Sequence, residues 1–250
     1  AGTWTTMTWG YEDELKTVRT ASGTVTMTYD GDVVRRRRQE GAAVTNYLWD
    51  GIQVLLETNA GNTTTTRYTL APSGYGDLVS QRRAGVSSWH HYDALGTTRA
   101  LTGSAGTVTD TRLYQAFGAQ AATTGSTVTP YGWVGKLGYA TEASIEGYLL
   151  RRRYYTPATA RFLSRDPLGG AVGDYRYVSN GPMAGVDPGG RFAILIVGGI
   201  AIIVALGLGG CPNRSSETTP APTPPPTSPL KPVRPPGQGT PNAPGDPEAE

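Results

Sequence analysis

Short segments in which polar and apolar residues alternate follow one another from Trp9 to about Gly118. In Thr24-Val25-Thr26-Met27-Thr28, for example, every second side chain is apolar. Glycine- and asparagine-rich sequences such as Asn59-Ala60-Gly61-Asn62 separate these segments. Alternation between such turns is typical of antiparallel β-hairpins. The pattern therefore predicts an all-β fold for this part of the chain.

An aromatic residue followed by an acid, an amide or a glycine recurs at a spacing of roughly twenty residues. Repeats of this length bury little apolar surface alone and must stack on their neighbours. We expect each aromatic ring to pack inward and each acid to accept hydrogen bonds in the following turn. The pairs are Tyr11-Glu12, Tyr29-Asp30, Trp49-Asp50, Tyr75-Gly76, Tyr92-Asp93 and Tyr114-Gln115.

The composition agrees with a sheet that contains many tight turns. The chain has 34 glycines, and its 14 tyrosines far outnumber its 3 phenylalanines. Its 22 basic residues nearly balance its 20 acidic residues, so we predict no nucleic-acid partner. The arginine runs 35–38 and 151–153 are expected to divide between the two faces of a strand and to form solvated edges.

Cysteine and histidine usage argues against a metal site. The single cysteine excludes an internal disulfide framework and a multi-cysteine zinc site. His90 and His91 are adjacent, and neighbours on a strand point to opposite faces. We therefore expect no metal, no cofactor and no small-molecule substrate. Because the chain starts at Ala1 without a charged and apolar leader, we interpret it as the C-terminal end of a longer or processed polypeptide.

Residues 192–210 form an uncharged, almost wholly apolar run. A helix of this length, at about 1.5 Å per residue, approaches the roughly 30 Å core of a bilayer. We predict a transmembrane helix, which would make the protein membrane-associated, in the cell envelope or secreted. A buried apolar plug is the alternative. The proline-rich residues 211–250 cannot bury a core, and we predict that they are disordered.

Two regions resemble the Rhs, or YD-repeat, family. Residues 92–102, which read YDALGTTRALT, are similar to one of its repeats, and residues 147–167, 175–182 and 186–190 are similar to the Rhs repeat-associated core. The resemblance implies a spiralling antiparallel β-hairpin shell that encloses a variable C-terminal segment. It divides the chain into repeats at 1–120, the core at 121–191, the apolar segment at 192–210 and the tail at 211–250.

The resemblance also implies a reaction, because the core of bacterial toxin members cuts its own chain at its C-terminal boundary. The residues on which that cleavage depends correspond to Arg153, Asp166 and Asp187. Of two carboxylates in one site, one keeps a proton and acts as an acid while the other activates water, and an arginine stabilises the oxyanion. Arg191 stands where the family has a leucine. Both aspartates precede proline, so capping of turns is the alternative role.

Three functions remain open at this point. The first is a structural encapsulation module whose only enzymatic activity is aspartate-dependent self-cleavage near residues 190–192. The second is a membrane-tethered surface or cell-contact protein without catalysis. The third is the C-terminus of a polymorphic toxin with a membrane-active segment. The expected partners are the remaining repeats of a longer chain, its own C-terminal segment, and a membrane through residues 192–210.

Overall fold

The computed structural model describes residues 4–72, 75, 77–166 and 175–191, and the backbone of two further strands at 194–197 and 200–203. These residues form three antiparallel sheets, so the predicted all-β fold is confirmed. In the longest sheet, 12 strands pair in sequence order, and the sheet stays open within the described residues. Its strands are β1 (Thr6–Trp9), β2 (Leu15–Thr20), β3 (Gly23–Tyr29), β4 (Arg35–Glu40), β5 (Ala43–Asp50), β6 (Gln53–Thr58), β7 (Thr64–Leu70), β8 (Leu78–Arg83), β9 (Val86–Tyr92), β10 (Thr98–Thr102), β11 (Val108–Tyr114) and β12 (Gln120–Thr124).

Two smaller sheets follow the long one, and short 3₁₀ helices lie at 135–137, 143–145 and 178–180. The long sheet runs past the predicted repeat boundary at residue 120, and the domain boundaries stay predictions. The second sheet contains β13 (Ala140–Glu142), β14 (Gly147–Leu150), β15 (Arg153–Thr156) and β16 (Arg161–Phe162). The third contains β17 (Gly185–Val186), β18 (Ile194–Val197) and β19 (Ile200–Ile203).

Several hairpins of the long sheet share one five-residue loop. The N–H of the first residue bonds to the carbonyl of the fifth, as from Asp30 to Val34 at 3.1 Å. The fourth residue adopts a left-handed φ, as a turn followed by a bulge requires. Asp30 and Asp93 begin such loops, and each Oδ1 accepts two backbone N–H bonds. These acids therefore cap the turns, as expected. The left-handed residues are Asp13, Val33, Asn62, Gly96, Gly106 and Gly118.

The aromatic residue before a loop fastens two neighbouring strands together. Its polar atom donates to the carbonyl of the residue fourteen positions earlier, which begins the adjacent strand. Such a bond satisfies the polar end of a large, partly buried side chain. This bond requires a fixed number of residues between the start of one strand and the aromatic residue at the end of the next, which explains why the aromatic residues recur at a similar spacing. The bonds are Tyr29 to Leu15 at 2.8 Å, Trp49 to Arg35 at 2.9 Å and Tyr92 to Leu78 at 2.7 Å.

The predicted inward packing is wrong for Tyr11, whose side chain is fully exposed in the loop after β1. The inward position is the last residue of a strand, and there Trp9 packs against the core instead. The loop itself begins at Gly10, whose N–H bonds to Glu14. Tyr75 also lies in a loop, between β7 and β8, although its ring packs against a buried cluster.

Four of the loops at one end of the long sheet, those after β5, β7, β9 and β11, contact the second sheet and its flanking turns. Every second loop opens toward that end, because successive strands are antiparallel. Side chains and backbone of residues 136–155 donate hydrogen bonds to carbonyls in these loops. The core segment therefore covers this end of the sheet. The donors and their acceptors are Lys136 to Gly96, Tyr148 to Gly118, Tyr155 to Phe117, and Arg151 to both Ile52 and Tyr75.

The predicted solvated edges are only partly formed, because Arg36 and Arg37 are exposed whereas Arg35, Arg151 and Arg153 are buried. A bulge at Arg36 shifts the register, because Tyr29 pairs with Arg35 whereas Thr28 pairs with Arg37. Arg35 and Arg38 therefore share one face and contact Glu142 at 2.7 and 3.0 Å. In the second run the turn between β14 and β15 buries both Arg151 and Arg153.

The predicted transmembrane helix is wrong for the described part of residues 192–210, which is a β-hairpin. β18 pairs with β19, and Ile194 also pairs with Val186 of β17. Isoleucine and valine favour strands, and the sequence places two glycines between these strands, a pair suited to a two-residue hairpin loop. No helix long and apolar enough to cross a membrane occurs among the described residues. The predicted disordered tail, 211–250, lies outside them.

Candidate functional site

A tight turn places Arg153 inside the protein, at the start of β15. Leu150 pairs with Arg153 across a two-residue loop, and Arg151 in that loop has a left-handed φ of 56°. The Arg153 guanidinium is 3.6 Å from the centre of the Phe162 ring, and the residue is 4% exposed. Burial lowers the pKa of Arg153, and the carboxylates of Asp187 and Asp166 oppose that shift.

The three residues proposed from the sequence lie together. Arg153 Nη2 is 2.9 Å from Asp166 Oδ2 and 3.2 Å from Asp187 Oδ2. The guanidinium thus lies between two carboxylates that would otherwise repel each other. The Asp187 side chain is 4% exposed and that of Asp166 is 20% exposed, so only Asp166 has substantial contact with solvent.

The backbone after Asp187 turns back onto the same guanidinium. Arg153 Nε donates to the carbonyl oxygen of Gly190. The N–H of Arg191 donates to Asp187 Oδ1 at 2.9 Å. Both sides of the Gly190–Arg191 peptide bond are therefore in contact with charged side chains. A cation at a carbonyl oxygen can stabilise an oxyanion, and a carboxyl group at an amide nitrogen can protonate a leaving amine.

Asp187 has the alternative, turn-capping role at the same time. Its Oδ1 accepts from Arg191, and its carbonyl accepts from the N–H of Gly190 at 3.2 Å. This turn needs glycine at position 190, where φ is +66°. A Cβ atom there would come within 2.5 Å of the Leu150 carbonyl oxygen. The hydrogen bond from Arg191 N–H to Asp187 Oδ1 therefore both caps the turn and forms the proposed catalytic contact with the Gly190–Arg191 bond.

Sequence reasoning missed Arg151 as a neighbour of this site. Its guanidinium donates to the carbonyls of Pro188, Ile52 and Tyr75, with Nε 2.9 Å from Ile52 O and Nη2 2.8 Å from Tyr75 O. It therefore joins two loops of the long sheet to the turn that carries Asp187. Nothing in a single sequence signals backbone acceptors that lie so far apart along the chain.

A cleft of about 360 Å³ opens beside Arg153. Its walls come from the loops after β1 and β3, from the turn before β15 and from the segment around Ser164. Charged side chains of both signs line it, with basic ones in the majority. The lining residues are Glu12, Asp13, Val33, Arg152, Arg153, Ser164, Arg165 and Arg191.

The two histidines face opposite sides of β9, as the sequence predicts. His90 is buried with Nε2 3.2 Å from Thr129 Oγ1, whereas His91 is exposed and lies 2.9 Å from Thr102 Oγ1. Among the described residues, no three histidine, cysteine or acidic side chains are grouped closely enough to hold a metal ion.

Buried His90 is expected to make the fold sensitive to acid. Burial, with smaller contributions from Arg112 and His91, lowers the pKa of His90 to about 4. As pH falls through the normal histidine pKa of about 6.5, only the unfolded chain gains this proton, so stability falls until about pH 4. Between pH 7 and pH 4 the wild type should lose about 3 kcal/mol more stability than His90→Gln.

Urea denaturation across this pH range measures the difference. His91→Gln is the control, because His91 is the exposed neighbour on the same strand, and it should follow the wild type. Parallel curves for wild type and His90→Gln would contradict the prediction.

Comparison with known sequences finds close relatives of this chain. The tRNA3(Ser)-specific nuclease WapA of Bacillus spizizenii is 35% identical over 204 residues, which are 77% of this chain and 9% of the relative. The tRNA nuclease WapA of Bacillus subtilis strain 168 has the same identity and coverage. The chain thus spans 9% of the length of these relatives. No family model matches it.

Comparison with solved structures finds the same fold. The crystal structure of TcdB2–TccC3–Cdc42 matches with a TM-score of 0.60 and 19% identity, over 75% of this chain and 10% of that one. A Photorhabdus luminescens Tc holotoxin pore matches with a TM-score of 0.56 and 20% identity, over 74% of this chain and 10% of that one. The architecture of sheet and core is therefore shared with proteins of low sequence identity.

Proposed function

Because this chain belongs to the Rhs, or YD-repeat, family, we propose that it is a segment of an encapsulating β-shell whose core cuts its own chain between Gly190 and Arg191. The observation that carries this proposal is the pair of contacts on that peptide bond. Arg153 contacts the carbonyl oxygen, and Asp187 contacts the amide nitrogen. Encapsulation is supported by the open, 12-stranded wall, one end of which the core covers.

In the proposed reaction, water attacks the carbonyl carbon of Gly190 and gives one proton to Asp166. The C=O electron pair moves onto the oxygen, where Arg153 stabilises the negative charge. Protonated Asp187 gives its proton to the nitrogen of Arg191 as the C–N bond breaks. The products are a carboxyl group on Gly190 and an amine on Arg191, so the step balances without a co-reactant. We assign the water to Asp166 because it is the more exposed carboxylate.

The pairing of β17 with β18 also supports an encapsulating role. Val186 lies before the proposed cut and Ile194 lies after it, and their strands are hydrogen-bonded neighbours. After cleavage, these bonds would hold the new N-terminus against the core. The C-terminal segment is therefore the proposed partner. The nuclease activity in the relatives' names belongs to those proteins, and location in the cell envelope or outside the cell stays a prediction.

A chain tagged at both ends tests the proposal. We expect a denaturing gel to show two fragments, and intact mass to place the new ends at Gly190 and Arg191. On native gel filtration the two fragments should elute together, because the strands on either side of the cut are paired. A folded chain that stays uncut, or one cut elsewhere, would remove the self-cleavage proposal and leave the shell assignment in place.

A further inference from the structure

We propose that Tyr139 is a positioning residue for this self-cleavage, and the inference rests on the function proposed above. Its hydroxyl oxygen accepts the backbone N–H of Asp187 at 2.7 Å. Through that bond Tyr139 fixes the residue that contacts the amide nitrogen of the Gly190–Arg191 bond. Tyr139 itself is assigned no contact with the reacting atoms.

Tyr139 ties the backbone of Asp187 to the body of the core, whereas the other contacts of Asp187 use its carbonyl and its carboxylate. The carbonyl and the carboxylate of Asp187 bond to Gly190 and Arg191, which lie within the turn itself. The carboxylate also contacts Arg153. If the N–H bond to Tyr139 were lost, the turn would keep its internal bonds and its contacts with Arg151 and Arg153, but the backbone of Asp187 would lose its fixed position relative to Arg153.

The hydroxyl of Tyr139 is itself rigidly placed. It lies 3.0 Å from the hydroxyl of Tyr177, and both residues are fully buried. The ring packs edge-on against Trp133 with 5.5 Å between centroids. Burial raises the pKa of Tyr139, and Tyr177 and Asp187 raise it further, so the hydroxyl stays neutral. It therefore serves as a fixed acceptor and exchanges no proton with the substrate bond.

A shift of about 1 Å in a reacting group lowers rates by about 10²-fold. We therefore expect Tyr139→Phe to slow cleavage by about 10- to 100-fold while the chain still folds. The matched control is Tyr148→Phe. Tyr148 packs on the same Trp133 ring and donates an equally buried hydrogen bond, to the Gly118 carbonyl at 2.6 Å. It does not bond to the turn that carries Asp187, so its loss should leave the rate unchanged.

Rates come from the appearance of fragments after pulse-labelled cell-free translation of the full chain. A second readout uses uncut protein that carries Asp166→Asn, and follows hydrogen exchange of the Asp187 and Arg191 amides by NMR. Tyr139→Phe should speed exchange at both amides by tenfold or more, and Tyr148→Phe should not.

Equal cleavage rates, or equal exchange, in the two tyrosine variants would overturn the positioning role. A wild-type chain that never cuts would instead refute the self-cleavage proposal, and the exchange measurement would still decide whether Tyr139 holds the turn. The two failures are therefore distinguishable.

Discussion

Asparagine in place of Asp187 is expected to slow cleavage of the Gly190–Arg191 bond by about 10²- to 10⁴-fold, the range for loss of a general acid. The amide oxygen of asparagine can still accept the N–H of Arg191, so the turn should survive. What is lost is the carboxyl proton for the leaving nitrogen, which an amide group cannot supply. Pulse-labelled translation of the full chain measures the rate.

Asp93→Asn provides the matched control for that experiment. Asp93 also begins a tight turn and accepts two backbone N–H bonds, from Leu95 at 3.1 Å and Thr97 at 2.9 Å. The substitution removes a charge from a capped turn that is not part of the site, and cleavage should continue at the wild-type rate. Equal rates for Asp187→Asn and wild type would show that Asp187 only caps its turn.

Glutamine in place of Glu142 is expected to lower the free energy of unfolding by about 3–5 kcal/mol, because it leaves a buried arginine without its counter-charge. Glu142 on β13 binds Arg35 on β4, and both side chains are less than 5% exposed. It also binds Arg38 at 3.0 Å. The loss is large against the roughly 5–15 kcal/mol that stabilises a typical domain. Urea denaturation near neutral pH measures it.

Glu40→Gln is the control for this second experiment. Glu40 contacts Arg38 at 2.9 Å, but its side chain is 57% exposed, so its loss should change stability by about 0.5 kcal/mol or less.

The difference in free energy of unfolding between Glu142→Gln and Glu40→Gln should become smaller at acidic pH. Burial raises the pKa of Glu142, but Arg35 and Arg38 outweigh burial and the net shift is downward. This stabilisation is present above the normal carboxyl pKa and is lost as pH falls below it. Equal effects of the two glutamine variants would contradict the expected role of the buried pair.

Residues 192–210 show that hydropathy alone does not distinguish a membrane helix from a buried strand. An uncharged, apolar sequence is compatible with either structure, because both exclude water from the side chains. The isoleucines and the glycine pair favoured a hairpin. What decided the outcome was β17, which offers an edge for β18 to pair with. No local pattern shows that an edge eight to ten residues away is free to pair.

The arginine run of β4 shows that alternation along a strand does not predict which side chains face inward when the strand contains a bulge. Strict alternation would place Arg35 and Arg37 on one face, and the expected solvated edge followed from it. One inserted residue, Arg36, changes which side chains face inward. Arg35 and Arg38 therefore both face inward, where they form ion pairs with Glu142. A bulge of this kind follows from the turn before it, whose left-handed residue is Val33.

The sequence by itself determined the hairpins, because alternation and turn residues act over a few neighbouring positions. The resemblance to the Rhs core further identified Arg153, Asp166 and Asp187 as candidate catalytic residues. Only the tertiary structure decided that one guanidinium lies between both carboxylates, and that the same groups contact the Gly190–Arg191 bond. The contacts of Arg153 with Asp187 and Gly190 join residues more than thirty positions apart, and their distances depend on how β15, the Asp187 turn and Tyr139 pack together.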